Sequence, residues 1–181
     1  EVGRGAKVYE DSIPETDALI TDEPGLPLVL CFADCTPVLL LDPENRAVGI
    51  VHGGWKGTVK KITQKTVMAM TKEFGTKPGD VLAAIGPAIG PCCYEVGDEV
   101  AEKFREAFPY HTDEIILTKG DKVHLNLWQA NRLQLMDIGV KSGNIDMADT
   151  CTACKHQWFY SYRADGGTTG RMAAVIALNK Y

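Results

Sequence analysis

The sequence has 181 residues, 45% of them hydrophobic and 24% charged, with a formal net charge of −5 at pH 7. A chain of that length fits one domain spanning residues 1–181, able to bury roughly 70% of the surface its unfolded form exposes. The acidic balance offers no electrostatic footprint for nucleic acid or an anionic membrane surface, and no apolar run approaches the roughly 18 residues of a membrane span.

Along the chain, "LPLVLCFA" (27–33), "PVLLL" (37–41) and "AVGIVH" (47–52) read as short strands rich in leucine and β-branched residues. "DPENR" (42–46) is a turn signal, so the second and third strands form a hairpin. A helix is expected over 57–74, with Gly75 as its stop, and "DVLAAIG" (80–86) reads as a buried strand. The Gly/Pro-rich loop "GPAIGPCCYEVG" precedes a short helix over 98–108 that carries Val100, Phe104 and Phe108 on one side. A further helix begins near Asn126 and ends at Gly139, and strands are expected at 145–148, 159–163 and 172–178. Buried and alternating strands mixed with helices and a hairpin predict an α/β (α+β) fold of mixed sheets layered with helices.

With 42–46 as the connection, residue 36 faces 52; a loop different by one residue sets 35 opposite 52. Either way Cys35 and His52 emerge at the open end of one hairpin. Three readings stand side by side: ordinary residues at a strand end, a nucleophile and its base, or two ligands of a metal. The "GGWKG" that follows His52 allows close backbone approach and leads into a helix, with Lys56 adding a charge. Asp34 points to the other strand face and is a poor candidate to orient the imidazole. Thiolate and imidazole suit zinc, and copper less selectively.

The six cysteines (31, 35, 92, 93, 151 and 154) are not spaced as a disulfide scaffold, so reduced thiols and a cytoplasmic protein are expected. "CTAC" (151–154) with His156 resembles half of a zinc ribbon without a second pair. Cys92 and Cys93 are adjacent, so from a normal strand they cannot serve one pocket. His111 and His124 read as surface or helix-entry residues. Lys60, Lys61, Lys65 and Lys72 read as a solvated helix face. In "SYRADGGTTGR" (161–171), Arg163 and Arg171 flank hydroxyls and flexible backbone, a set able to hold a phosphate or carboxylate.

"FADCTPVLL", "VHGGWKGT", "AIGPAIGPCCYEVG" and "FYSYRADGGTTGRMAAVI" occur in an order that closely resembles the YfiH-type family, also called the laccase-domain or polyphenol oxidase family. The resemblance runs from about residue 17 to the C-terminus. It implies a layered α/β sandwich and a monomeric zinc enzyme that phosphorolyses adenosine, inosine and methylthioadenosine, with adenosine deaminase activity. Copper-dependent phenol oxidation is assigned to some members.

The resemblance further implies that zinc sits on the cysteine of "ADC" and the histidine of "HxGW", here Cys35 and His52. A third ligand comes from a histidine ahead of a segment like "EVGRGAKVYE", where this sequence starts, and no histidine precedes Asp34. The family's N-terminal segment is therefore expected to lie outside these residues. The resulting expectation is a zinc-dependent purine nucleoside phosphorylase acting on nucleoside and phosphate. Cys35 and His52 hold the metal and carry catalysis, while Lys56, Arg163 and Arg171 gather the anion. The rival is a cysteine hydrolase or deamidase using Cys35 and His52 as a dyad. Copper-dependent oxidation, the third reading, conflicts with a total of four histidines.

Overall fold

The computed structural model describes residue 13 and residues 15–180, so "EVGRGAKVYE" lies outside the described residues. Its largest sheet contains β1 (Ala18–Thr21), β3 (Thr36–Asp42), β4 (Ala47–Gly53), β5 (Leu82–Ile85) and β9 (Ile145–Met147), in the order β1-β4-β3-β5-β9. Pairing is antiparallel except between β5 and β9, as a mixed sheet requires. A two-stranded sheet joins β2 (Leu28–Phe32) to β10 (Met172–Ile176). A small third sheet has the order β6-β8-β7, from β6 (Glu95–Val96), β7 (Ile116–Lys119) and β8 (Lys122–Leu125). The helices are α1 (Trp55–Val59), α2 (Ile62–Phe74), α3 (Asp98–Ala107), α4 (Thr112–Ile115) and α5 (Leu127–Asp137).

Side-chain alternation sorts the layers. From β3 and β4, Val38, Leu40 and Val51 pack with Val67 and Met70 of α2 and Leu135 of α5. Val48 and Ile50, on the opposite face, pack with Leu28 of β2 and with Leu178. β4 is therefore covered on both sides and reads as a continuous apolar run rather than an alternating one. Gly49 in its middle lets α2 close down, since a Cβ there would stand 3.3 Å from Met70 Sδ and from Ile20 Cγ2. A second core joins Phe104 of α3, Ile115 of α4, Leu125 of β8 and Leu127 of α5. The expected layered α/β architecture is present.

Four local expectations are corrected. The hairpin loop is shorter than 42–46, because Asp42 belongs to β3 and faces Ala47. Its fully buried carboxylate accepts the N–H groups of Glu44 and Asn45 and the Nδ2 group of Asn45, closing the turn from inside the strand. The register moves with it, so Pro37 faces His52 and Thr36 faces Gly53.

The helix expected over 57–74 is broken between α1 and α2 by Lys61, at φ 60°. The restart is capped from a distance: Gln134 Oε1, on α5, accepts the N–H groups of Thr63 (3.1 Å) and Gln64 (3.4 Å). Lys61 is thus no member of a continuous solvated face, and its ammonium lies 3.2 Å from the Phe108 ring centroid.

Residues 159–163 form no strand. Ser161 is fully buried, its carbonyl accepts the N–H of Asp165, and the Arg163 N–H is taken by Asp34, so this backbone folds into turns. His124 lies in β8 and is buried rather than at the surface.

Candidate functional site

Cys35 stands one residue before the first pair of the β3–β4 ladder, and His52 is paired with Pro37. Alternation places residues 35 and 37 on one face, so Cys35 and His52 share the face covered by β2 and β10. Neither expected pairing is realised; the two residues are diagonal neighbours. Between them lies Gly54, where a Cβ would stand 3.1 Å from Cys35 Sγ and 3.8 Å from His52 Nε2. The two donor atoms border one small space that only glycine leaves open.

The imidazole is held from its other side. β1 pairs with β4 so that Ala18 faces Val51, which brings Asp17 opposite His52. The His52 N–H donates to the Asp17 carbonyl at 2.7 Å, and His52 Nδ1 lies 3.1 Å from Asp17 Oδ1. A carboxylate oxygen can only accept, so the ring hydrogen belongs on Nδ1 and the Nε2 lone pair faces the Gly54 space. Phe32 packs edge-on against the ring at 5.3 Å between centroids. The sequence reading missed Asp17; only the β1–β4 register brings it to His52.

Asp34 does not orient His52, as expected. It sits at φ 80° and turns its carboxylate the other way. Oδ1 accepts the hydroxyl of the buried Thr152 at 2.6 Å, and Oδ2 accepts the Arg163 N–H at 2.7 Å. Its carbonyl accepts the Ile89 N–H at 2.9 Å. Asp34 therefore fixes three distant stretches, at Ile89, Thr152 and Arg163, beside the hairpin end. Burial, followed by the charges of Asp34 and Asp17, pushes the Cys35 thiol up to about 11, against a partial opposing effect from Arg171.

The three expected anion-binding cations have different surroundings. The start of β10 pairs with the end of β2 through Met172 and Phe32, which sets Arg171 beside the turn at Ala33–Cys35. Its exposed guanidinium bonds to the carbonyls of Thr169 and Gly170. Arg163 donates to the carbonyls of Cys93 (3.3 Å) and Glu95 (3.0 Å), 5.4 Å from the Tyr94 ring centroid. Tyr94, another residue missed in the sequence, has its hydroxyl pushed up to about 12 by burial and then by Cys35, and Asp34 adds to this. Lys56 is exposed on α1, its ammonium 5.6 Å from the Trp55 ring centroid. The helix beginning there has only five residues, so its dipole adds little to the charge of Lys56.

A second cluster overturns the expectation for the other cysteines. Cys92, Cys93, Cys151 and Cys154 bring their sulfurs within 4.8 Å of one another, a group that could hold a metal ion. Adjacent cysteines reach one place because residues 91–93 form a turn rather than a pleated strand, with the N–H groups of Cys93 and Tyr94 both donating to the Gly90 carbonyl. "CTAC" thus finds its second pair in "CC", and His156 stays outside the group. Burial and contacts with the neighbouring thiols push Cys92 up to about 11 and raise Cys93 further. Burial also opposes ionisation of Cys151, but N–H bonds from Cys154 and Gly90 bring its thiol below the ordinary value. All six cysteines are free thiols.

Comparison with known proteins adds to this geometry. The family model described as multi-copper polyphenol oxidoreductase laccase matches residues 2–179. The purine nucleoside phosphorylase YlmD of Geobacillus stearothermophilus is 42% identical over 175 residues, which cover 96% of this chain and 64% of that protein. A protein of an unknown prokaryotic organism, named adenosine deaminase RL5, is 36% identical over 90% of this chain and 62% of its own length. The crystal structure of YlmD from Geobacillus stearothermophilus superposes with a TM-score of 0.92 at 41% identity, covering 98% of this chain and 66% of that one. A Bacillus licheniformis hypothetical protein YfiH gives a TM-score of 0.90 at 43% identity, over 94% and 64% of the two chains. The chain thus spans less than two thirds of the curated relatives' length. Among the described residues, no helix is long and apolar enough to cross a membrane.

Proposed function

The chain belongs to the family described as multi-copper polyphenol oxidoreductase laccase, and from that premise we propose that it serves a zinc-dependent purine nucleoside phosphorylase, with adenosine deaminase activity at the same centre. The observation that carries this reading is the His52 arrangement. Asp17 on Nδ1 leaves Nε2 facing Cys35 Sγ across Gly54, the carboxylate–histidine pattern that orients imidazole metal ligands. A thiolate and an imidazole form a donor set suited to zinc. Among the described residues, no third ligand atom gathers with them.

Cys35 and His52 would hold the ion, which when bound supplies Lewis acidity at the open end of the hairpin. Phosphorolysis breaks the bond between ribose C1′ and the purine nitrogen while a phosphate oxygen bonds to C1′, and the departing base takes up a proton. The chain's part is to collect phosphate beside that carbon. Arg171, exposed beside the Cys35 turn, is the best placed of the three cations. Arg163 spends its guanidinium on the Cys93 and Glu95 carbonyls and so stiffens the wall carrying Tyr94. Lys56 contributes charge from α1.

The dyad reading is the weaker one. A nucleophilic cysteine needs its pKa lowered, and burial with two nearby carboxylates raises that of Cys35. Copper oxidation would require further histidines at the centre. His111 is instead held by Glu114 and Asp137, and His124 is buried in β8.

The test incubates adenosine with the protein and with Cys35→Ala and His52→Ala, with and without phosphate, alongside zinc analysis. Adenine release that requires phosphate, lost in both variants together with one equivalent of zinc, is expected. Adenine released equally without phosphate, or a Cys35→Ala protein of undiminished activity, overturns the proposal.

A further inference from the structure

We propose that Cys92, Cys93, Cys151 and Cys154 form a second, structural zinc site that staples the loop before β6 to the segment after β9. The site is independent of the reading of Cys35 and His52. With a Zn–S bond of about 2.3 Å, four thiolates at the corners of a tetrahedron stand about 3.8 Å apart. The observed cluster is close to that size: Cys154 Sγ lies 3.4 Å from Cys92 Sγ and 3.3 Å from Cys93 Sγ, slightly inside the tetrahedral spacing, and no two of the four sulfurs are more than 4.8 Å apart. A disulfide would select one partner, whereas Cys154 is almost equally near two and Cys151 joins them. Four converging sulfurs with no nearby histidine or carboxylate in the group make a closed, soft site, and zinc is the metal such a set holds structurally.

The backbone is arranged for thiolates as well. The N–H groups of Gly90 (3.2 Å) and Cys154 (3.4 Å) both point to Cys151 Sγ. Gly90 is required at that place, because a Cβ would meet Trp128 at 2.7 Å and Cys151 Cβ at 3.2 Å. Metal binding is proton-balanced and involves no redox change: each thiol releases its proton to solvent as its sulfur bonds to Zn²⁺. The clamp is linked to the hairpin end on two sides. The Cys93 carbonyl receives Arg163, and Thr152, next to Cys151, donates to Asp34.

The test begins with the Cys35→Ala protein, in which the hairpin site offers no thiolate. It is titrated under reducing conditions with Co²⁺ and then Zn²⁺. The expected result is a saturable visible spectrum of tetrahedral, thiolate-bound Co²⁺, displaced by one equivalent of Zn²⁺, with sulfur neighbours only in zinc-edge X-ray absorption. Adding Cys154→Ser should abolish the spectrum and weaken zinc retention by more than the roughly 10–100-fold that loss of an outer-shell partner costs. Native mass spectrometry of the Cys35→Ala protein before and after chelation gives the stoichiometry even if Cys154→Ser does not fold. No thiolate-rich spectrum, bound iron instead of zinc, or a mass two hydrogens short from a Cys154 crosslink overturns the proposal. Failure of the nucleoside assay leaves this readout untouched, so the two proposals fail separately.

Discussion

Asp34 is the residue whose replacement should disturb the hairpin end most. Its carboxylate is buried and accepts two hydrogen bonds, from the Thr152 hydroxyl at 2.6 Å and the Arg163 N–H at 2.7 Å. Asp34→Ala removes both acceptors, and hydrogen bonds to a charged group contribute about 1.5–3 kcal/mol each. Alanine must also adopt φ 80°, which disfavours it relative to Asp or Asn by about 1 kcal/mol. The sum is a loss of about 4–7 kcal/mol, a large part of a domain's stability. Asp34→Asn tolerates the left-handed backbone, keeps an oxygen for the Arg163 N–H, and can donate its amide to a rotated Thr152 hydroxyl. It should cost only about 1–2 kcal/mol. Urea unfolding of the protein and both variants, with m-values compared, measures the difference. If the two variants agree to within about 0.5 kcal/mol, the carboxylate is not the clamp inferred from these distances.

Two further outcomes follow from the same neighbourhood. Gly54 has extended backbone, φ −69° and ψ 163°, so Gly54→Ala introduces no strain there. Its methyl would enter the space 3.1 Å from Cys35 Sγ and 3.8 Å from His52 Nε2; the variant should keep its fold by circular dichroism yet lose zinc at the hairpin, and unaltered zinc affinity would show that the ion does not bind there. The second outcome concerns pH. The Cys35 thiol is raised from 9.0 to about 11 by burial, Asp34 and Asp17, so between those values the metal-free folded state holds a proton that the unfolded state has released. Its contribution to stability is complete below pH 9.0 and is lost as pH rises toward 11. In metal-free protein, alkylation of Cys35 followed by peptide mass spectrometry should be slow at neutral pH and accelerate only over that alkaline window; rapid labelling at pH 7 would favour the dyad.

What was legible in the sequence was local. The strands of the hairpin, the helix over 98–108 and its apolar side, the helix near Asn126 and the meeting of Cys35 and His52 at one hairpin end, though not their register, all follow from periodicity and turn residues within a few positions. What was not legible depends on partners far along the chain. Lys61 breaks a regular helical pattern because Gln134, on α5, caps the restart. "FYSYR" has strand composition, yet its backbone N–H at Arg163 is claimed by Asp34. Adjacent cysteines look incompatible with one pocket until residues 91–93 turn and "CTAC" arrives opposite them. Asp17 offers no motif at all; only the β1–β4 register places it on His52.

The hairpin register shows how much one such detail decides. Shifting a strand pairing by one residue exchanges its faces. Had residue 36 faced His52, Cys35 would point to the opposite side of the sheet, among the side chains packed on α2 and α5. Pro37 faces His52 instead, which returns Cys35 to the histidine's face. The residue that sets this parity lies at the other end of the strand. Asp42 remains in the ladder because its buried carboxylate satisfies three N–H bonds of the turn. A neutral, shorter side chain there would let the turn lengthen and the register slip, separating two donors that it never touches. The chemistry of the open end is thus held in place by the chemistry of the closed one.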